Sequence, residues 1–396
     1  MISFTLEEEE RLLQETVHSF AEVDIRPHYR DSEKTGVPDA LRKKFHELGL
    51  TGLDLPAELG GTGLTWLARS LVLEELGWGD AGVAVDLASQ AGVLAILALG
   101  DAAQQKRVLA PLAAGNAVQS ALAFSEAKAA PQGGFATTAR RDGDFYVLDG
   151  EKAFVHGAGS ADFMVVFAQV EPDKGWDGIG AFVVDKAAPG LRPGANVETT
   201  GLCGVEKQSL KLSGVRVPAM NRLQGGADFV VAAETLFRRL GLKTSAIAVG
   251  MARAAYEYAL RYSEERVAFG KPIGHFQFIA FTLSDMAMAV DGARWMVWRA
   301  ATELDQGRDG RAECAMAYSH ALETAMYAAD WSVQILGGHG YICDHPAEKW
   351  MRDAKTLALW GGSREFANAV VADAIVGATP AACDRLPVHD IQPVYT

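Results

Sequence analysis

Cysteine is scarce in this chain of 396 residues: Cys203, Cys314, Cys343 and Cys383 lie far apart, with no C-x-x-C pair and no ligand-spaced histidine beside them. That pattern excludes a disulfide framework and a zinc site, and it leaves a reduced, cytoplasmic setting as the expectation. Positive charge is also in deficit, with 37 Lys and Arg against 50 Asp and Glu. A nucleic-acid surface needs clustered cations, so none is expected. No long apolar run is uninterrupted. The most apolar stretch, Gly82 to Gly100, is broken by Asp86, Ser89 and Gln90 and reads as buried helix rather than a membrane span. A basic leader is missing too, because the N-terminus opens on Thr5-Leu6-Glu7-Glu8, a capping-box pattern leading into an acidic helix. Nothing repeats at solenoid period, and no Gly-x-Ser-x-Gly elbow occurs. Gly157-Ala158-Gly159 and Gly178-Ile179-Gly180 lack the strand-turn-helix context of a nucleotide fingerprint and read as turn glycines. His339 and His345 have no metal-ligand companions, so no metal is expected.

What is present organises itself in three parts, an α+β chain with α, β and α segments in that order. Residues 1–118 carry apolar side chains at helical spacing, as in Leu12, Leu13, Val17 and Phe20, with breaks expected at Gly60-Gly61 and Gly82. Residues 119–225 turn β-like. Phe145 to Leu148, the dipeptide Asp149-Gly150, and Ala153 to Val155 read as a hairpin, since Asp-Gly supplies the positive φ angles of a tight turn. Further strands are expected at Phe163–Phe167, Ala181–Val184 and Val215–Val217. Residues 226–396 return to long helices near 229–265, 275–305, 311–336 and 364–376, the pattern of an antiparallel four-helix bundle.

The most informative tracts lie near the C-terminus. Gln334-Ile335-Leu336-Gly337-Gly338-His339-Gly340-Tyr341 is followed by Met351-Arg352-Asp353-Ala354-Lys355 and by Trp360-Gly361-Gly362-Ser363-Arg364-Glu365. Together they resemble the C-terminal signature of the acyl-CoA dehydrogenases. Glu265-Arg266-Val267-Ala268-Phe269-Gly270, with Gln277 shortly after, resembles the Arg-x-x-Phe-Gly loop of that family. The three-part layout extends the resemblance over nearly the whole chain.

The resemblance implies an FAD flavoprotein that dehydrogenates an acyl thioester, on CoA or a carrier protein, and passes electrons to an electron-transfer flavoprotein. It implies a homo- or hetero-oligomer of two-subunit FAD sites, with Arg266 reaching a neighbour's pyrophosphate, Gln334 and Gly338 at the adenine end, and Phe269 and Gly337 also binding the cofactor. Ser363 and Glu365 belong to the same cofactor-binding signature. Ser125, Phe154 and His156 fall where the family lines its flavin, in tracts that depart from the usual pattern. Ser125 begins Ser125-Glu126-Ala127-Lys128-Ala129-Ala130-Pro131-Gln132, and His156 replaces a small hydroxyl residue.

The largest departure concerns the base. An α-C–H of a thioester is a weak acid, so the family polarises the carbonyl with hydrogen bonds and removes the proton with a carboxylate. Here that position is Gly361, which offers only its backbone donor. The alternative family position on the first bundle helix falls at Leu240, with Gly241 beside it. Glu234 and Asp86 are the candidate replacements, on the expectation that an apolar pocket raises a carboxyl pKa toward neutrality. Two other readings stay open: a partner subunit of a mixed oligomer, and a flavoprotein of this fold without net dehydrogenation, such as an eliminase, a desulfinase-like relative or an oxygenase.

Overall fold

The computed structural model describes residues 5–128, 133–379 and 385–387. Seven helices open the chain: α1 (Glu8–Phe20), α2 (Tyr29–Thr35), α3 (Asp39–Glu47), α4 (Trp66–Gly79), α5 (Ala81–Ala88), α6 (Ala91–Leu99) and α7 (Ala102–Ala113). The expected breaks fall close to their places. Asp80, rather than Gly82, separates α4 from α5, because its carboxylate caps α5 by accepting from the Val83 N–H at 3.0 Å. Gly82 itself lies inside α5. The capping box of α1 also sits two residues beyond Thr5: Glu7 is the N-cap, and its N–H donates to Glu10 at 2.9 Å. The apolar run is two helices bent by 44°, jointed at Gln90 with φ 40°. Among the described residues no single helix is long and apolar enough to cross a membrane.

An eight-stranded sheet follows, formed by β1 (Ser120–Ala123), β2 (Thr138–Asp142), β3 (Phe145–His156), β4 (Phe163–Gln169), β5 (Ile179–Asp185), β6 (Leu191–Asn196), β7 (Lys207–Pro218) and β8 (Arg222–Leu223). The spatial order is β6-β7-β3-β2-β4-β5-β8, with β1 parallel to β4. One expectation is overturned here. Asp149-Gly150 is no hairpin turn, since β3 runs straight through it, and the hairpin is β2–β3, pairing Asp142 with Phe145 across Gly143. Gly150, at φ 147°, instead lies opposite a bulge of β7, which carries an extra residue between Leu212 and Val215, and a Cβ on Gly150 would come within 2.5 Å of the Thr137 backbone. A turn glycine and a glycine opposite a bulge look alike in sequence, since both need only freedom at φ.

The third part comprises α8 (Phe229–Glu265), a small ribbon of β9 (Val267–Ala268) and β10 (Lys271–Pro272), then α9 (Gln277–Asp305), α10 (Arg311–Leu336), the single turn α11 (Gly338–Tyr341), α12 (Ala347–Leu357) and α13 (Arg364–Val376). Helix α12 was absent from the sequence expectation. The apolar cores cross the three-part division. One joins Val17, Leu76 and Val85 to Ile247, Val290 and Leu322, and another joins Ile96 and Phe167 to Leu236. Helix α8 is thereby the shared axle. Gly77 and Gly250 let it lie against α4, since a Cβ on Gly250 would come within 1.9 Å of the Glu74 carbonyl oxygen.

Candidate active site

The end of β3 builds one wall. A bulge between Lys152 and Val155 inserts an extra residue against β7, and Phe154 there takes φ 54° and stands exposed. A bulky aromatic in the left-handed region is strained, so its display is imposed by the surrounding structure. Ala153 N–H donates to the Ser125 carbonyl oxygen at 2.8 Å, which brings Ser125 beside Phe154. Beneath them lies Glu126, which the sequence reading assigned no role. It accepts from the N–H groups of Ala136 (2.6 Å) and Thr137 (3.0 Å) and from buried Lys152 (2.8 Å). Burial pushes the Lys152 ammonium down to about 8 despite the pull of Glu126. The end of the Ser125 tract, residues 129–132, lies outside the described residues.

His156 closes β3, and α5 brings Asp86 against it. Nε2 of His156 lies 3.4 Å from one Asp86 oxygen, and Arg42 of α3 lies 2.5 Å from the other. The ring of His156 packs edge-on against Trp360, centroids 5.4 Å apart. Asp86 thereby departs from expectation. Burial raises its carboxyl, but the hydrogen bond from His156 and the charge of Arg42 outweigh this and hold it below the usual range. Asp86 is a charged hydrogen-bond acceptor, and the expected upward shift does not occur.

Trp360 leads directly into a solvent-open cleft of about 490 Å³ between α8, α10, α13 and the Gly361-Gly362 loop. A Cβ built on Gly361 would lie 3.6 Å from the Thr244 hydroxyl and 4.0 Å from the Leu240 Cβ. The two positions expected for a carboxylate therefore meet, and neither carries one. Phe237, Gly241, Cys314 and Tyr318 form much of the wall, and Tyr318 donates its hydroxyl to the Trp360 carbonyl at 2.9 Å. Burial pushes the Cys314 thiol up to about 12, which leaves it unreactive. Among the described lining residues Glu234 is the one carboxylate, and it is ion-paired with Arg311 rather than free in an apolar wall. Arg238 and Arg385 add positive charge to the same cleft. Ser363 uses its hydroxyl to cap α13, accepting from the Phe366 N–H at 3.1 Å, while Glu365 is exposed.

A second candidate surface lies at the far end of α8. Arg266, Phe269, Gln334, Gly337 and Gly338 are all exposed. Phe269 stands 97% exposed at φ 51°, the second displayed and strained aromatic. Tyr262 and His339 Nδ1, 2.8 Å apart, tie the α8 terminus to the Gly337-Gly338 turn, and Tyr258 and His345 Nδ1 make a parallel link at 2.7 Å. Open space lies where a Cβ on Gly337 or Gly338 would point. Among the described residues no group of three His, Cys, Asp or Glu could hold a metal.

The Met351-Arg352-Asp353-Ala354-Lys355 tract serves the frame. Buried Asp353 accepts from the Leu202 N–H and from Lys349, which also holds Asp80, so α12, the β-domain and the α4–α5 corner meet at one ion triad. Burial alone would lower the Lys349 pKa, yet its two carboxylates raise it.

An N-terminal helical part, an eight-stranded sheet and a helical bundle whose α8, α10 and α13 wall the cleft at Gly361-Gly362 make up a three-part α+β chain. The chain belongs to the acyl-CoA dehydrogenase family: the models of its N-terminal, middle and C-terminal domains match residues 7–116, 121–215 and 229–376. Cyclohex-1-ene-1-carbonyl-CoA dehydrogenase of Geobacter metallireducens is 37% identical over 94% of this chain and 99% of its own length. The mitochondrial short-chain specific acyl-CoA dehydrogenase of Rattus norvegicus is 35% identical over 93% and 90%. The structure of butyryl-CoA dehydrogenase from Megasphaera elsdenii superposes with a TM-score of 0.88 at 31% identity, covering 95% of this chain and all of that one.

Proposed function

We propose that this protein is an FAD-dependent oxidoreductase that dehydrogenates the α,β-bond of an acyl-CoA thioester. The observation that carries this reading is the packing of His156, at the end of β3, on Trp360, which leads into the cleft at Gly361-Gly362, in a chain that matches such dehydrogenases over nearly its whole length. FAD fits the residues present. Ser125, Phe154 and His156 would meet its ring, and Arg266, Phe269, Gln334, Gly337 and Gly338, exposed with open space over the glycines, would meet the dinucleotide of an adjoining copy. When bound, FAD supplies the two-electron acceptor for the β-hydrogen. The Gly361 N–H supplies a donor for the thioester carbonyl. Arg238, Arg311 and Arg385 give the cleft the cationic character that suits the phosphates of CoA.

Function as an oligomer is part of this reading. Phe278, Phe281, Met288 and Met296 recur at helical spacing along α9 and are exposed, a stripe suited to another copy or to a related dehydrogenase subunit. Electron-transfer flavoprotein is the proposed electron acceptor. The three-part division at residues 118 and 225 is proposed as the domain organisation, and no compartment is assigned.

The test is anaerobic titration of the purified, flavin-loaded protein with butyryl-CoA, followed at the flavin absorbance. Bleaching supports the dehydrogenase. A second reading, a partner subunit in a mixed oligomer, is favoured by the absence of a carboxylate at both Gly361 and Leu240 while the Arg266 surface is kept. Flavin-to-protein ratio in the chain purified alone separates them: about one per chain fits the first, and near zero in a folded protein fits the second.

A further inference from the structure

The missing carboxylate leaves the reaction without an evident proton acceptor, and the frame offers one. We propose that His156, oriented by Asp86, takes the α-proton in place of a carboxylate at position 361. This inference rests on the dehydrogenase reading above.

Three observations carry it. First, Asp86 held ionised by Arg42 can only accept, so the contact at 3.4 Å places the proton of a neutral His156 on Nε2 and leaves the lone pair on Nδ1. An imidazole held in one tautomer by a buried carboxylate is the arrangement used for general bases on unrelated folds. Second, Asp86 is kept ionised by Arg42, so it stabilises an imidazolium without itself taking the proton. Third, the ring packs on Trp360, the residue preceding Gly361, so the base candidate stands beside the loop that lost its carboxylate. Both side chains are largely shielded, 18% exposed for His156 and 11% for Asp86, which strengthens their coupling. The other charge across from His156 is Lys207 of β7, whose ammonium is turned onto the carbonyl oxygens of Leu202 and Val205.

The step balances. The Cα–H bond breaks and an N–H bond forms at Nδ1. The freed electron pair becomes the new C=C bond as the β-hydrogen departs with its own pair to the two-electron oxidant named above. His156 returns its proton to water after product release. Asp86 is a positioning residue in this scheme.

The test uses the flavin-loaded protein with butyryl-CoA in D2O, reading α-deuterium incorporation by mass spectrometry and flavin bleaching, both per bound flavin. Replacing His156 by Ala should lower both by about 10²–10⁴-fold, the range of a positioned general base. Added imidazole should restore part of the loss. His156→Gln, which keeps a planar polar side chain, should be equally slow and controls for collapse of the site. Asp86→Asn removes the charge that fixes the His156 tautomer, so kcat for bleaching should fall by about tenfold or more while KM for butyryl-CoA changes little. Near wild-type rates in both His156 variants, insensitive to imidazole, would overturn the base while leaving the dehydrogenase standing. A kcat unchanged by Asp86→Asn would overturn the orienting role. Wild-type flavin that no acyl-CoA bleaches would overturn the proposed function, and the base with it.

Discussion

At the scale of single residues, the chemistry turns on what Gly361 lacks and what surrounds it. A side chain there has room, since its Cβ would meet only Thr244 and Leu240 at ordinary contact distance. The obstacle is φ 77°, which costs a non-glycine residue about 1–2 kcal/mol. Gly361→Glu should therefore fold, with a modestly lower melting temperature. Combined with His156→Ala, it should recover flavin bleaching by butyryl-CoA, which stopped-flow absorbance would measure. Arg266→Ala should lower flavin content per chain, because no Lys or neighbouring cation reproduces a forked guanidinium contact; an unchanged ratio would refute the placement of that loop. At the ion triad, Lys349→Met leaves Asp80 and Asp353 buried without their cation. A broken buried pair costs about 3–5 kcal/mol, so urea denaturation should show a loss of that order.

At the scale of elements, α8 decides the arrangement. Its 37 residues pass the Glu234–Arg311 pair, the Leu240–Gly361 meeting point, the Gly250 crossing with α4 and the Tyr262–His339 link in turn. The crossing is the tightest of these. Gly250→Ala would push a methyl into the Glu74 carbonyl, and overpacking of this kind costs about 1–3 kcal/mol where the backbone can shift. The expected outcome is a lower melting temperature with weakened flavin retention, because both surfaces proposed to meet FAD depend on where α8 lies. Calorimetry alongside flavin release would show whether the two fall together. Strand β3 plays the equivalent part in the sheet, with Gly150 facing a bulge of β7 and its own bulge displaying Phe154.

At the scale of the molecule, carboxylates set the acid limit. Glu33, Glu75, Asp86 and Glu348 are each raised by burial and lowered further by their partners, Arg352 for Glu33, Arg253 for Glu75, His156 and Arg42 for Asp86, and Arg352 with Arg30 for Glu348. All four therefore sit below their unfolded values. Their stabilisation is complete above the unfolded carboxylate pKa of about 4 and is lost as pH falls through the lower folded values. Melting temperature should hold steady down to about pH 5 and then drop. These pairs join α2 to α12, α4 to α8, and α5 both to α3 and to β3, so acid should loosen the seams between the three parts early, and intrinsic tryptophan fluorescence should report it.

The sequence by itself determined the family, the α, β, α order and the places of the long bundle helices, because these rest on local periodicity and on residue identity at motif positions. It could not separate the turn at Gly143 from the bulge opposite Gly150, since pairing partners distinguish them and those lie in other strands. It placed Asp86 and His156 as separate candidates and could not join them: they stand 70 positions apart, and only the packing of α5 on the end of β3 closes the gap. The same packing reversed the expected shift of Asp86, whose ionisation depends on Arg42 and His156 more than on its apolar helix. Residue type states what a group can do; the charges within a few ångströms, assembled from distant segments, decide what it does.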